Sequence, residues 1–216
     1  MKYLFIVLSA LVFNSSIEQG VSITHLSNLS PLSAYSTEWN KAAYSTCNTA
    51  KNVDYMNDVE KEVIYILNLA RAYPKLFANT VLAKYPAMSG KERLINNEYY
   101  YQSLIKKMLT MEQAPIINPD EKCFTSAACH AKTSGEEGYV GHIRTSNECK
   151  VQQHFLGECC DYGNKEPLNI ILSLLIDEDI PSFGHRKILL GNYSLVGVSM
   201  QPHKTYRQNT VLDFYR

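Results

Sequence analysis

The chain carries no excess of charge. Its 216 residues hold 21 Lys and Arg against 21 Asp and Glu, so the formal net charge is zero. That balance argues against a dedicated nucleic-acid binder, which presents a basic face, and against a polybasic membrane anchor. No apolar run approaches the ~20 residues needed to span a bilayer as a helix, so no transmembrane anchor is expected. Several catalytic signatures are missing. There is no G-x-S-x-G elbow for a serine hydrolase. There is no phosphate-binding loop, dinucleotide fingerprint or H-E-x-x-H pair. The cysteines lack C-x-x-C spacing, so a cysteine-based zinc site is not expected. What remains, at 45% hydrophobic and 19% charged residues, is the composition of a globular domain.

The N-terminus is the first positive signal. Lys2 precedes an apolar run from Tyr3 to Phe13, followed by Asn14, Ser15 and Ser16. This is the order of a secretory signal peptide over residues 1–20. The expected destination is secreted or extracellular, with periplasm or cell surface as variants. Six cysteines, at 47, 123, 129, 149, 159 and 160, fit disulfides in an exported chain. The adjacent Cys159 and Cys160 are expected to have different partners, because a ring between neighbours is strained.

Residues 21–56 read as a weakly specified lead-in, with Trp39 as a packing point. Val59, Val63, Ile66, Leu67 and Ala70 then recur at helical spacing, with Asn57 or Asp58 as cap and Glu60 and Glu62 near the positive end. Pro74 ends this helix or opens the next, over residues 75–85. A further helix fits 98–111. Asn118-Pro119-Asp120-Glu121 reads as a cap and first turn for a helix bearing Cys123, Ala127 and Ala131, ended by Gly135. Residues 135–165 read as loop. Glu166-Pro167 opens an apolar helix, after which Asp177, Glu178 and Asp179 sit at its unfavourable end. A short segment at 184–189 follows, then two strands joined by a loop at 202–208. Helices first and strands last predict an α+β fold, with residues 57–216 as one domain.

Three residues that follow glycine stand out: His142, Glu158 and His185. Two imidazoles and a carboxylate could hold a divalent ion with a position left for water, bind an anion at low pH, or hydrogen-bond one another. The other histidines offer less. His130 reads as a packing or surface hydrogen-bonding group on its helix, and His203 as solvated in the inter-strand loop. Cys129 beside His130 is no nucleophile–base pair, because helix neighbours point to different faces.

The ordered set of segments resembles the CAP superfamily, the cysteine-rich secretory, antigen 5 and pathogenesis-related-1 proteins, also called the SCP domain. The segments are Glu60–Arg71 with its Asn-x-x-Arg ending, Ala128–His142, Gly157-Glu158, Ile176–Leu189 with Gly-His-Arg, and the closing strands at 196–198 and 211–214. The resemblance spans about residues 57–216. It implies a three-layer α-β-α sandwich with a central cleft lined by two His and two acids. His142, Glu158 and His185 match three of these, and Glu178 is the choice for the second acid. The resemblance implies a divalent metal such as zinc on His142 and His185. The asparagine of the family's Gly-Glu-Asn is Cys159 here.

The expectation is therefore a secreted binding protein, non-catalytic, whose cleft takes a small apolar ligand, a peptide or a divalent metal. The rival is a metal-dependent hydrolase, peptidase or esterase, with Glu158 as ligand or general base. A structural domain with a vestigial cleft is the third reading. Sequencing of the exported protein's N-terminus checks the compartment. Cleavage between Asn14 and Gly20 is expected, and a mature chain starting at Met1 contradicts the export reading.

Overall fold

The computed structural model describes residues 29–91 and 99–216. The expected export signal lies outside the described residues, as does Glu98 at the start of one expected helix. No helix of the described residues is long and apolar enough to cross a membrane. The fold is α+β, with a sheet of four strands among the described residues, in the order β1 (Asn118–Pro119), β3 (Leu195–His203), β4 (Arg207–Tyr215), β2 (Gly157–Tyr162).

Helix α1 spans Asp58–Ala72. Asn57 caps it, and Glu60 returns the bond to the Asn57 N–H, so two N-terminal donors are satisfied reciprocally. The other Glu60 oxygen accepts from the Met200 N–H at 2.8 Å, which ties the helix start to the sheet. At the far end, Asn68 and Arg71 lie on one helix face. Asn68 donates to the Cys47 and Ile117 carbonyls and accepts from the Ile117 N–H at 2.7 Å. Arg71 is fully buried, and its guanidinium donates to the carbonyls of Pro115, Leu189, Gly191 and Tyr193. The Asn-x-x-Arg pattern thus braces the approach to β1 and the turn after the Gly-His-Arg segment.

The residues after Pro74 form one helical stretch in three parts: α2 at Pro74–Phe77, a π turn at Ala78–Leu82, and α3 at Ala83–Met88. Helix α4 spans Tyr99–Thr110. Residues 29–56 join the main core rather than standing apart. Leu32, Trp39, Tyr44 and Cys47 pack in one cluster with Val63, Ile66 and Leu67 of α1, and the Trp39 indole donates to Thr80 at 3.0 Å.

Asn118 and Pro119 are not a helix start. They form β1, paired in parallel with Leu195 and Val196 of β3. Asp120 is the cap, its carboxylate accepting from the Cys123 N–H, and α5 runs Glu121–Glu137. Gly138, in the left-handed conformation at φ 73°, ends it, not Gly135. The expected loop at 135–165 holds two regular elements, α6 at Asn147–Gln152 and β2 at Gly157–Tyr162. Alternation is hidden in β2 because Glu-Cys-Cys-Asp carries no apolar period. Helix α7 spans Pro167–Ile176 and α8 spans Gly184–Leu189. Strands β3 at Leu195–His203 and β4 at Arg207–Tyr215 form a hairpin, so the expected 202–208 loop is partly strand.

Alternate strand residues divide the sheet's faces. Val211 and Cys160 pack with Ala127 and Ala131 of α5. Leu212, Phe214, Cys159, Val196 and Val198 pack with α1 and α7. Helix α5 can lie this close because β3 has Gly197. A Cβ there would stand 1.9 Å from the Phe124 amide nitrogen.

One disulfide joins the described cysteines, Cys129–Cys149, clasping α6 to α5. Cys47, Cys123, Cys159 and Cys160 are buried thiols, so the expectation of a fuller disulfide set does not hold. The neighbours Cys159 and Cys160 point to opposite faces of β2 and cannot share a partner.

Arg71→Met removes the donors from several buried carbonyls at once. It is expected to cost about 3 kcal/mol or more in urea unfolding. An unchanged midpoint would show that Arg71 does not brace the fold.

Candidate functional site

The site is built on β2, an edge strand of the sheet. The β2–β4 register sets Glu158 directly opposite Asp213. Glu158 is 6% exposed and Asp213 fully buried. Two like charges facing each other on adjacent strands repel, and burial sharpens the conflict. Arg144 answers part of it. Its guanidinium pairs with Glu158 Oε2 and reaches Asp213 Oδ2 at 3.1 Å. The Ser126 hydroxyl donates to the same Asp213 oxygen at 2.6 Å.

A proton answers the rest. Burial and the facing Glu158 push the Asp213 carboxyl well above the ordinary carboxylate range. Burial pushes Glu158 up as well, but hydrogen bonds from His142 and Asp213, with the Arg144 charge, bring it below its ordinary value. Asp213 thus holds the pair's proton and Glu158 stays ionised.

The ionised Glu158 accepts from His142 Nδ1 at 2.8 Å. His142 lies on the loop after α5, and the loop is pinned just before it. Gly141 donates its N–H to the Tyr162 hydroxyl at 3.0 Å, and its carbonyl accepts from His130 Nε2 at 2.9 Å. Its φ of 135° and the Tyr139 hydroxyl, 2.6 Å from where a Cβ would stand, leave room only for glycine. Arg144 closes the loop by donating to the His142 carbonyl at 3.2 Å.

His185 arrives from the other face of the sheet, in the first turn of α8. Its Nδ1 donates to Asp177 Oδ1 at 2.7 Å. Asp177 is thus an acid that holds His185. Asp177 caps the C-terminal end of α7 in the left-handed conformation, φ 58°. This turns its carboxylate back toward α8, where it also accepts from the Arg186 N–H at 3.3 Å. Glu178, the next residue, lines the same cavity as Asp177 and His185. Arg186 donates to the Leu175 and Ile176 carbonyls that end α7, the positive group that end calls for. In Gly-His-Arg, the histidine serves the cleft and the arginine serves the fold.

The two imidazoles meet over the β2 edge with ring centroids 6.2 Å apart. Their side chains are 54% and 22% exposed, whereas the carboxylates behind them are 3% and 1% exposed. Each ring therefore donates from Nδ1 to a buried acid, which leaves Nε2 as the ring nitrogen that can take a ligand. A carboxylate behind the ring is the usual device for orienting a metal-binding histidine. Beside His185 opens a cavity of about 360 Å³, lined by Asp161, Asn164, Ser173, Asp177 and Glu178 among others. Leu174, Ile176 and Ile180 add an apolar wall to this lining.

Two residues of the site escape a reading of the sequence. Arg144 lies in a segment of no local pattern. Asp213 had a signal: it is an acid inside the apolar run Val211–Phe214. His203 is buried, not solvated, and bonds the Tyr139 carbonyl at 3.0 Å. His130, Glu158 and Cys160 bring donor atoms within 4.8 Å of one another, but the Arg144 charge against Glu158 opposes a cation at that point.

No family model matches the chain, and no curated protein matches it. Among solved structures, an outer surface protein from Borrelia burgdorferi aligns at 16% identity, over 54% of this chain and 89% of that one, with a TM-score of 0.36.

The shared proton predicts a pH signature. Asp213 has its pKa raised by folding, so its contribution is full below the unfolded carboxylate range and is lost as pH rises toward its folded value. Asp213→Asn keeps an acceptor for Ser126 and Arg144 and offers an N–H to Glu158 without that loss. The variant's stability relative to wild type should rise as pH climbs from about 4 toward neutrality. A difference that stays flat with pH would contradict the shared proton.

Proposed function

We propose that the chain is an exported CAP/SCP-type binding domain, and that His142 and His185 together bind a divalent metal such as zinc through Nε2. The single observation that carries this reading is the pair of carboxylate-backed imidazoles facing each other at 6.2 Å. Glu158 and Asp177 hold the two rings by Nδ1, so His142 and His185 would hold the ion through Nε2, and His185 also lines the neighbouring cavity. A metal there would supply an open position for a polar ligand, such as a peptide carbonyl or carboxylate. The cavity beside His185 joins the acids and amides of Asp161, Asn164 and Asn169 to the apolar Leu174, Ile176 and Ile180, so it suits a ligand with both a polar group and an apolar part. Helices on both faces of the sheet, and the places taken by Asn68, Arg71, Glu158 and Gly184-His185-Arg186, support the α-β-α sandwich of that family. The Cys129–Cys149 disulfide supports an oxidising compartment.

Binding is preferred to hydrolysis for a specific reason. A general base must take a proton, and Glu158 is paired with buried Arg144 and held below its ordinary pKa. It is a weak base and already occupied by His142.

Zinc titration by calorimetry tests the reading. Wild type should bind zinc at a site abolished by His142→Ala or His185→Ala, and Asp177→Asn should weaken it roughly 10- to 100-fold. Zinc binding that is indifferent to both histidines would overturn it.

A further inference from the structure

A second group of donors lies away from the cleft, at the start of α5. Asp120, Cys123 and His154 each offer a ligand atom, and these atoms lie within 4.8 Å of one another. We propose that they form a separate site for a thiophilic divalent transition metal of the zinc class.

The fold delivers these three residues by independent routes. Asp120 and Cys123 are the cap and first turn of α5, and the Asp120 N–H is held by the Val196 carbonyl at 2.9 Å. His154 comes from the segment after α6. The Cys129–Cys149 disulfide fixes α6 against the middle of α5. The chain then runs back toward the helix start, where the His154 N–H donates to Ser126 Oγ at 3.0 Å. The imidazole is stacked on Tyr215, centroids 4.2 Å apart and planes 17° from parallel. A disulfide, a backbone hydrogen bond and an aromatic stack thus hold the ring beside a buried thiol that takes part in no disulfide.

The donor chemistry is mixed: thiol sulfur, imidazole nitrogen and carboxylate oxygen. Sulfur and nitrogen select zinc-class ions over calcium or magnesium. Tetrahedral zinc, with bonds of roughly 2.0–2.3 Å, places its ligand atoms about 3.3–3.8 Å apart. The present spacing is wider by up to about 1 Å, within reach of side-chain rotation. In the metal-free protein the Cys123 thiol lies beside the Asp120 carboxylate. Binding replaces the thiol proton: the S–H bond breaks, an S–metal bond forms, and one proton leaves to solvent with no change of oxidation state. Three protein ligands leave a fourth position. His154 also lines a surface cavity of about 340 Å³ together with Glu121, Thr125 and Gln152, so the imidazole is the ligand of the three that borders solvent. Residue spacing alone does not reveal this site, because the nitrogen donor comes from a distant loop rather than from a C-x-x-C repeat.

Cobalt(II) substitution tests the proposal and separates it from the cleft. A cobalt–thiolate bond gives a charge-transfer absorption that a histidine–carboxylate site does not. Cobalt-loaded protein should show this band. Cys123→Ser and His154→Ala should lose it, and Cys160→Ser and the double variant His142→Ala/His185→Ala should keep it. Should Cys123→Ser fail to fold, as its full burial allows, the half-buried His154→Ala decides. No band in wild type, or a band of unchanged intensity in His154→Ala, would overturn the second site. Neither result bears on zinc at His142 and His185.

Discussion

The arrangement of the cleft rests on one buried conflict and its resolution. Pairing β2 with β4 in the observed register forces Glu158 against Asp213 in the interior of the sheet. Neither acid could be buried there ionised beside the other without a large penalty. Arg144 and a single proton resolve it together. The resolution is asymmetric, and the asymmetry matters. Asp213 is neutral and bound to Arg144 and Ser126, while Glu158 remains an anion. The Glu158 carboxylate is in turn the acceptor for His142 Nδ1, so the balance struck inside the sheet bears directly on how the ring is held.

The second half of the cleft solves a different problem. His185 must reach across the edge strand from the face opposite α5. It does so because α7 ends on Asp177 in a left-handed conformation, which Asp tolerates better than most residues. The acids after α7 look misplaced at a negative helix end. Arg186 supplies the missing positive charge, and Asp177 is committed to His185 and the Arg186 N–H. An edge strand is a natural meeting place for these two halves, since its outer side has no further strand to fill it. The same geometry opens a cavity beside His185 in which Asp161 and Asn164 face Leu174, Ile176 and Ile180.

Much of this was legible in the sequence, and the failures share a cause. Asn57 and Glu60 announced α1, Glu166-Pro167 announced α7, and the alternating tail announced the hairpin, because each is a local signal. The glycines before His142, Glu158 and His185 marked three cleft residues, although the spacing alone left several roles open. What escaped was set by tertiary contact. Pro119 reads as a first-turn proline until Asn118 and Pro119 are seen to add a parallel strand beside β3. Glu-Cys-Cys-Asp reads as loop because its apolar members, Cys159 and Cys160, are adjacent rather than alternating. Asp177 and Glu178 are indistinguishable by sequence, and only the left-handed turn selects the first. His203 lies near a turn yet is buried, because it bonds the carbonyl of Tyr139 across the fold.

The central claim is that both cleft imidazoles are held by carboxylates on Nδ1 and present a bare Nε2 to a metal. Long-range 1H–15N correlation spectra of the histidine rings in metal-free protein at neutral pH test it most directly. The account predicts that His142 and His185 are both Nδ1–H tautomers, and that added zinc shifts the Nε2 resonance of each. An Nε2–H tautomer at either ring, or zinc shifts confined to one of them, would contradict it.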